Sequence, residues 1–265
     1  MSNSFCVFCN NPILKGREHI FPRWLQNHLS LRNIPLYQTR YNQSGTLIKN
    51  KRYLSFNGLV SGNICRGCNT GWLSKLENEA KEKLVLLVDG KEDLKLSLAE
   101  SKTLSLWMFK TALTLHSVSI QKRFIPDLHY QSFYRTRSIP DDVWIHISPI
   151  KTLDVEDLFW IQNGGWHGVN SKVQSQDFLD MIKMCYKVSL RVGWLAWRIV
   201  YLPKVEGANI SFFEFYNEII KNIYPRNYEL IWKPSLHLDS LKELDSSLVY
   251  SVNRQKVNPS SMFPN

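Results

Sequence analysis

"CVFCNNPILKGREHIFPRWL" (residues 6–25) and "NICRGCNTGW" (63–72) decide how the first third of this chain folds. Each carries a Cys-x-x-Cys pair, Cys6/Cys9 and Cys65/Cys68. Four thiolates complete one tetrahedral zinc site, and the two-residue spacing lets each pair grip the ion from a tight turn. The 55 residues between Cys9 and Cys65 exceed the roughly 15–20 of common zinc ribbons. A shared ion therefore clamps the two ends of an inserted segment. That closure brings Glu18 and His19 toward Asn69, which directly follows Cys68. A zinc held by four thiolates has no open coordination position, so this ion is expected to be structural. Any chemistry needs a second site.

Composition narrows the class. The chain has 265 residues, 44% hydrophobic and 12% aromatic, which suits a folded globular protein. No apolar run approaches the eighteen residues of a membrane span, and the N-terminus lacks the pattern of a secretory leader. The expectation is a cytoplasmic protein with no membrane partner. In that compartment paired cysteines are metal ligands rather than disulfides. Cys185, alone in "MIKMCYKVSL", is expected to be a small buried residue. The net charge of +10 is unevenly spread, with +7 in residues 1–90 and +3 beyond. A basic excess on one module fits a polyanionic partner, although an ordinary basic surface has the same signature.

Further along, Pro22 opens a helix over "PRWLQNHLSLR", and "LYQTRY" and "LIKNKRYLSF" flank a hairpin turn at Asn42–Gly45. Leu73, Leu76, Ala80, Leu84 and Leu87 form one apolar stripe, predicting a helix from about Thr70 to Val88 that ends at Gly90. Turn and charge signals in "DGKED" (89–93) predict a boundary between residues 1–90 and 91–265. The second part reads as α+β. A helix spans "SLAESKTLSLWMFKTALTLHSVS"; strands follow at 143–148, "LFWIQ", "HGVN" and 187–202; a helix is expected at 210–222, then a strand "YELIW". The tail after Pro234 reads as polar and partly loose.

The pattern "CVFC…EHIFP…CRGCN", with the later "CNTGWLSKLE" and "WMFKTALTLH", resembles the HNH endonucleases and, over its length, bacterial HNH proteins that lack an assigned role. The resemblance is strongest over residues 6–77. It implies a zinc-stapled ββα-metal module, here with an inserted hairpin, followed by an α+β domain. It implies that His19 is the general base, and that Glu18 and Asn69 hold a catalytic Mg²⁺ or Mn²⁺ that stabilises the leaving 3′ oxygen. It also calls for an asparagine that orients the histidine: Asn63 is favoured, with Asn57 as its rival. Glu77, about two turns into the helix, is a further ligand or a partner of one, or else an exposed helix glutamate. The implied substrate is DNA, with RNA open, and the implied setting is restriction, phage defence or mobile elements.

Arg17, Arg23 and Arg66 are the candidate phosphate contacts, within a basic background that includes Arg32, Arg40, Lys49, Lys51 and Arg52. Most tryptophans lie in strand patterns and read as core. The remaining histidines, among them His28, His116, His129 and His146, read as surface or packed residues. Residues 91–265 are expected to select a target, bind a protein partner or form a homodimer. The rival reading is a non-catalytic zinc module that binds nucleic acid or protein.

Overall fold

The computed structural model describes residues 5–13, 18–41, 47–118, 124–151, 160–164, 180–181, 183–204 and 208–254, and the statements below concern these. Strand β1 (Glu18–His19) pairs antiparallel with β4 (Val60–Ser61), Glu18 opposite Ser61 and His19 opposite Val60. Helix α1 (Arg23–His28) and a long antiparallel hairpin, β2 (Pro35–Tyr41) with β3 (Leu47–Ser55), are inserted between them. The expected hairpin turn at Asn42–Gly45 lies outside the described residues, as do "HGVN" and Arg17. After β4 the chain makes a short turn of helix, α2 (Arg66–Cys68), a wide turn over Asn69–Leu73, and helix α3 (Ser74–Asp89). The order is strand, strand, helix, with the hairpin as an insertion.

The apolar stripe of α3 is buried as its spacing predicts: Leu76, Ala80, Leu84 and Leu87 face the core. Strand β5 (Leu94–Leu96) leads to α4 (Leu98–Ser117), started by a reciprocal cap in which Ser97 and Glu100 serve each other's backbone N–H. Helix α4 is buried on nearly every face. Several of its interior hydroxyls bond back within the helix, Ser105 donating to the Ser101 carbonyl, Thr111 to Trp107 and Thr114 to Lys110. Helix α5 (Asp127–Thr136) follows.

The central sheet is antiparallel throughout, in the order β11 (Lys221–Tyr224), β6 (Val143–Pro149), β9 (Leu195–Tyr201), β8 (Tyr186–Val192), β7 (Trp160–Gly164). Alternation along β9 splits its side chains between two layers. Leu195, Trp197 and Ile199 join the main core with α3 and α4, and Trp107 meets Trp197 at 5.6 Å between ring centres. Ala196 faces the other way, into a smaller cluster with Leu241 and Leu244 of helix α6 (Leu241–Ser246). One buried cluster runs from Cys6 to Trp232, so α4 and the sheet pack directly on the N-terminal segment.

That contact is tight at one place. Gly90 ends α3 with φ +59, and a side chain there would collide with Trp194 at 2.3 Å. Gly193, at φ +58 in the β8–β9 turn, would meet the Val88 carbonyl at 2.4 Å, and the Trp194 N–H donates to that carbonyl at 2.9 Å. Glycine alone suits both positions.

One expectation fails beyond residue 207. The helix expected at 210–222 is instead strand β10 (Ala208–Glu214), followed by turns and β11. The tail is described as far as Arg254: it forms α6 and strand β13 (Leu248–Arg254), which pairs along the whole of β10. The pairing supplies β10 with hydrogen bonds that no local pattern reveals, and "ISFFEF" has the aromatic content of a strand. The expected strand "YELIW" is β12 (Leu230–Trp232), paired with β5. No helix among the described residues is long and apolar enough to cross a membrane.

Candidate functional site

Cys6, Cys9, Cys65 and Cys68 meet with their sulfurs within 4.8 Å of one another, although 55 residues of chain separate the two pairs. The first pair sits on a turn closed by Asn10 N–H to the Cys6 carbonyl and Cys6 N–H to the Asn11 carbonyl, both 2.9 Å. In the second, the Cys68 N–H donates to Cys65 Sγ at 3.4 Å. No disulfide joins them. Four crowded sulfurs cannot all ionise without a cation. A hydrogen bond from Cys68 pulls the Cys6 thiol down to about 4, Cys68 in turn is pushed up, and burial raises Cys9. A tetrahedral zinc ion, which favours thiolates at every position, fits this donor set. Phe8, between the first two cysteines, is buried against Trp72 and Phe133, which ties the knuckle to α5.

The Glu18-His19 pair divides across β1. His19 is half-buried and lines a polar cavity of about 200 Å³ with Arg23, Arg32, Asn57 and Val60. Arg23, one turn further on at the start of α1, donates its Nε–H to His19 Nε2 at 3.1 Å. An acceptor at Nε2 is a lone pair, so in this arrangement the imidazole is neutral with its proton on Nδ1. Asn57 stands on a tight turn (Phe56–Gly58) capped by Ser55, whose Oγ accepts from the Gly58 N–H at 3.1 Å. Its backbone N–H donates to the Arg32 carbonyl at 3.2 Å, which brings Arg32 to the same wall. Asn57 Oδ1 is buried and has no donor among the described residues.

Asn63 is elsewhere. Its side chain donates to the Ser117 carbonyl at 3.0 Å, and its own carbonyl accepts from Val7 at 2.9 Å. It fastens the end of α4 and the first knuckle to β4. Asn57, the rival in the sequence, is the asparagine that shares the histidine's cavity. Arg66 is exposed on α2, and Asn69 is half-buried where the wide turn begins, its N–H bonded to the Cys65 carbonyl at 3.0 Å.

Glu18 points the other way, into the core, and is 5% exposed. Its Oε1 accepts from Lys110 Nζ at 3.2 Å, and the same ammonium donates to Glu77 Oε1 at 2.6 Å. Lys110 comes from the middle of α4 and has no exposed surface. Burial opposes the charge on Lys110, but the carboxylates of Glu77 and Glu18 outweigh it and raise the lysine's pKa. Glu18 is raised by burial and by the neighbouring Glu77, with Lys110 acting against both. Glu77 is therefore an internal ion-pair partner rather than a solvated helix glutamate. The donor set that the resemblance assigns to a divalent cation fits poorly here, because the Glu18 carboxylate already faces a buried ammonium. Lys110 lies outside the Glu-His motif, though a lysine inside "LWMFKTALTLH" is a signal: a charge within a largely apolar helical stretch must find a buried partner.

A second cavity, of about 300 Å³, lies between Trp72, Leu76, Leu106 and Phe133, and neither histidine nor cysteine lines it. The other described histidines are packed or paired: His116 with Tyr130 (2.7 Å), His129 with Tyr186 (2.8 Å), and His28 with Asp89 (2.6 Å). Compared with known proteins, the chain matches no family model, no curated protein and no solved structure.

Proposed function

We propose that this protein is an HNH-type nuclease that hydrolyses phosphodiester bonds in DNA at the His19 cavity. One observation carries the reading: His19, two arginines and a carboxamide with an open acceptor line one small polar cavity. Two guanidiniums suit the two free oxygens of a phosphodiester. Arg32 meets the incoming phosphate, and Arg23 exchanges its hydrogen bond to His19 for one to phosphate. That exchange uncovers His19 Nε2, which takes a proton from water as the water oxygen bonds to phosphorus. The bond from phosphorus to the 3′ oxygen breaks, the leaving oxygen takes a proton from solvent, and the new end is a 5′-phosphate. Asn57 Oδ1, in the wall of the same cavity, would hold the ring in the required tautomer by turning to accept the imidazole Nδ1–H. Charge growing on the phosphate is stabilised by the arginines. The resemblance adds Mg²⁺ or Mn²⁺ on Glu18 and Asn69, which when bound would act as a Lewis acid on the leaving oxygen. With Glu18 committed to Lys110, no step above is routed through that ion.

The test is cleavage of supercoiled plasmid and of end-labelled DNA and RNA oligonucleotides by the zinc-loaded protein. His19→Ala should lose about 10²- to 10⁴-fold in rate while still binding DNA. Cleavage unchanged by that substitution removes His19 from the mechanism. The rival, a module that binds phosphate without cutting, is favoured by the donation from Arg23 to His19 Nε2. Salt-sensitive DNA binding lost in Arg32→Ala, with no cleavage by the wild type under any divalent metal, would establish the rival instead.

A further inference from the structure

The geometry points to Lys110 as the resident cation of the Glu18–Glu77 pair, its ammonium occupying the Glu18 carboxylate to which the HNH resemblance, with Asn69, assigns a divalent ion. The inference shares the candidate site of the nuclease reading but depends on that reading only for which ion is expected.

Three observations support it. Lys110 Nζ lies 2.6 Å from Glu77 Oε1 and 3.2 Å from Glu18 Oε1, so one ammonium bridges both carboxylates. Its side chain has no exposed surface and Glu18 almost none, so neither has a ready route to solvent. The lysine leaves from the centre of a 20-residue helix whose next turn is closed by Thr114 bonding back to the Lys110 carbonyl. A divalent ion bound to Glu18 would sit about 2.0–2.6 Å from its oxygen, beside a buried like charge that cannot move away. The cavity on the other face of β1, in contrast, already has positive charge from Arg23 and Arg32. The division of labour is therefore internal: α4 neutralises Glu18, and the phosphate meets guanidinium.

Manganese binding tests this without any nuclease assay. Full-length, zinc-loaded protein is titrated with Mn²⁺ and free Mn²⁺ is followed by electron paramagnetic resonance. The wild type should retain no Mn²⁺ in a way that Glu18→Gln alters. Lys110→Met should gain one Mn²⁺ per chain, held between the freed carboxylates, and the double variant Lys110→Met/Glu77→Gln should bind it at least tenfold more weakly. One Mn²⁺ bound by the wild type and lost in Glu18→Gln, with Lys110 in place, overturns the proposal. So does a folded Lys110→Met that gains none. Should Lys110→Met fail to fold, the wild type against Glu18→Gln decides alone. A protein that never cuts nucleic acid still gives either result, so this test and the nuclease test fail separately.

Discussion

The two sides of strand β1 are built on opposite principles. On the His19 side, the side chains line a cavity open enough for a ligand, and one carboxamide oxygen has no partner among the described residues. On the Glu18 side one ammonium bridges two carboxylates, and Lys110 and Glu18 are sealed from water. Two residues adjacent in sequence thus do different jobs because neighbouring side chains of a strand leave by opposite faces. One face is open to a ligand and weakly stabilising. The other holds the strand to α4 and α3. The general lesson is that a catalytic-looking dipeptide need not act as a unit.

The largest way to break this comparison is to remove what brings both sides to one place. Stripping the knuckle ion by chelation should cost on the order of 10 kcal/mol and melt the N-terminal segment, as for small zinc domains. One zinc per chain by elemental analysis, with parallel loss of zinc and of the folded signal, is the expected result. Retention of a cooperative melt without metal would show that the hydrophobic cluster around Phe8 suffices.

The next effect sharpens the contrast between the two sides. Lys110→Met leaves two buried carboxylates facing each other and should cost about 3–5 kcal/mol in chemical denaturation. By comparison, His19→Ala should leave stability within about 0.5 kcal/mol. Because the two carboxylates raise the folded pKa of Lys110 above its unfolded value, the ion pair contributes fully below the ordinary lysine range. That contribution is lost as pH rises through the raised value. An alkaline fall in wild-type stability that is missing in Lys110→Met is the expected signature. Equal costs for the two substitutions would erase the distinction between the faces.

The smallest effect concerns the scaffold beneath both. Gly193→Ala forces a side chain into a left-handed backbone position and against the Val88 carbonyl. It should lower stability by about 1–3 kcal/mol while leaving DNA affinity unchanged. An altered affinity would mean that the end of α3 communicates with the His19 cavity.

Much of this was legible beforehand, and what was not has a common cause. The cysteine pairs and the stripe of α3 are local patterns with one physical solution, and both appear as expected. The choice between Asn57 and Asn63 turned on which loop returns beside β1. That depends on Asn57 N–H reaching the Arg32 carbonyl and on Asn63 being claimed by Ser117, 54 residues away. Strand β10 has a helix-like local pattern, and its partner, β13, lies at the far end of the described chain.

By itself, the sequence determined that four cysteines converge, that α3 and α4 are helices, and that a basic N-terminal segment carries a Glu-His pair. These follow from residue chemistry and short-range periodicity. Only the tertiary structure decided that Glu18 belongs to Lys110 and that His19 belongs to the arginines. Buried charge must find its complement wherever packing supplies one, and here that complement lies 92 residues along the chain.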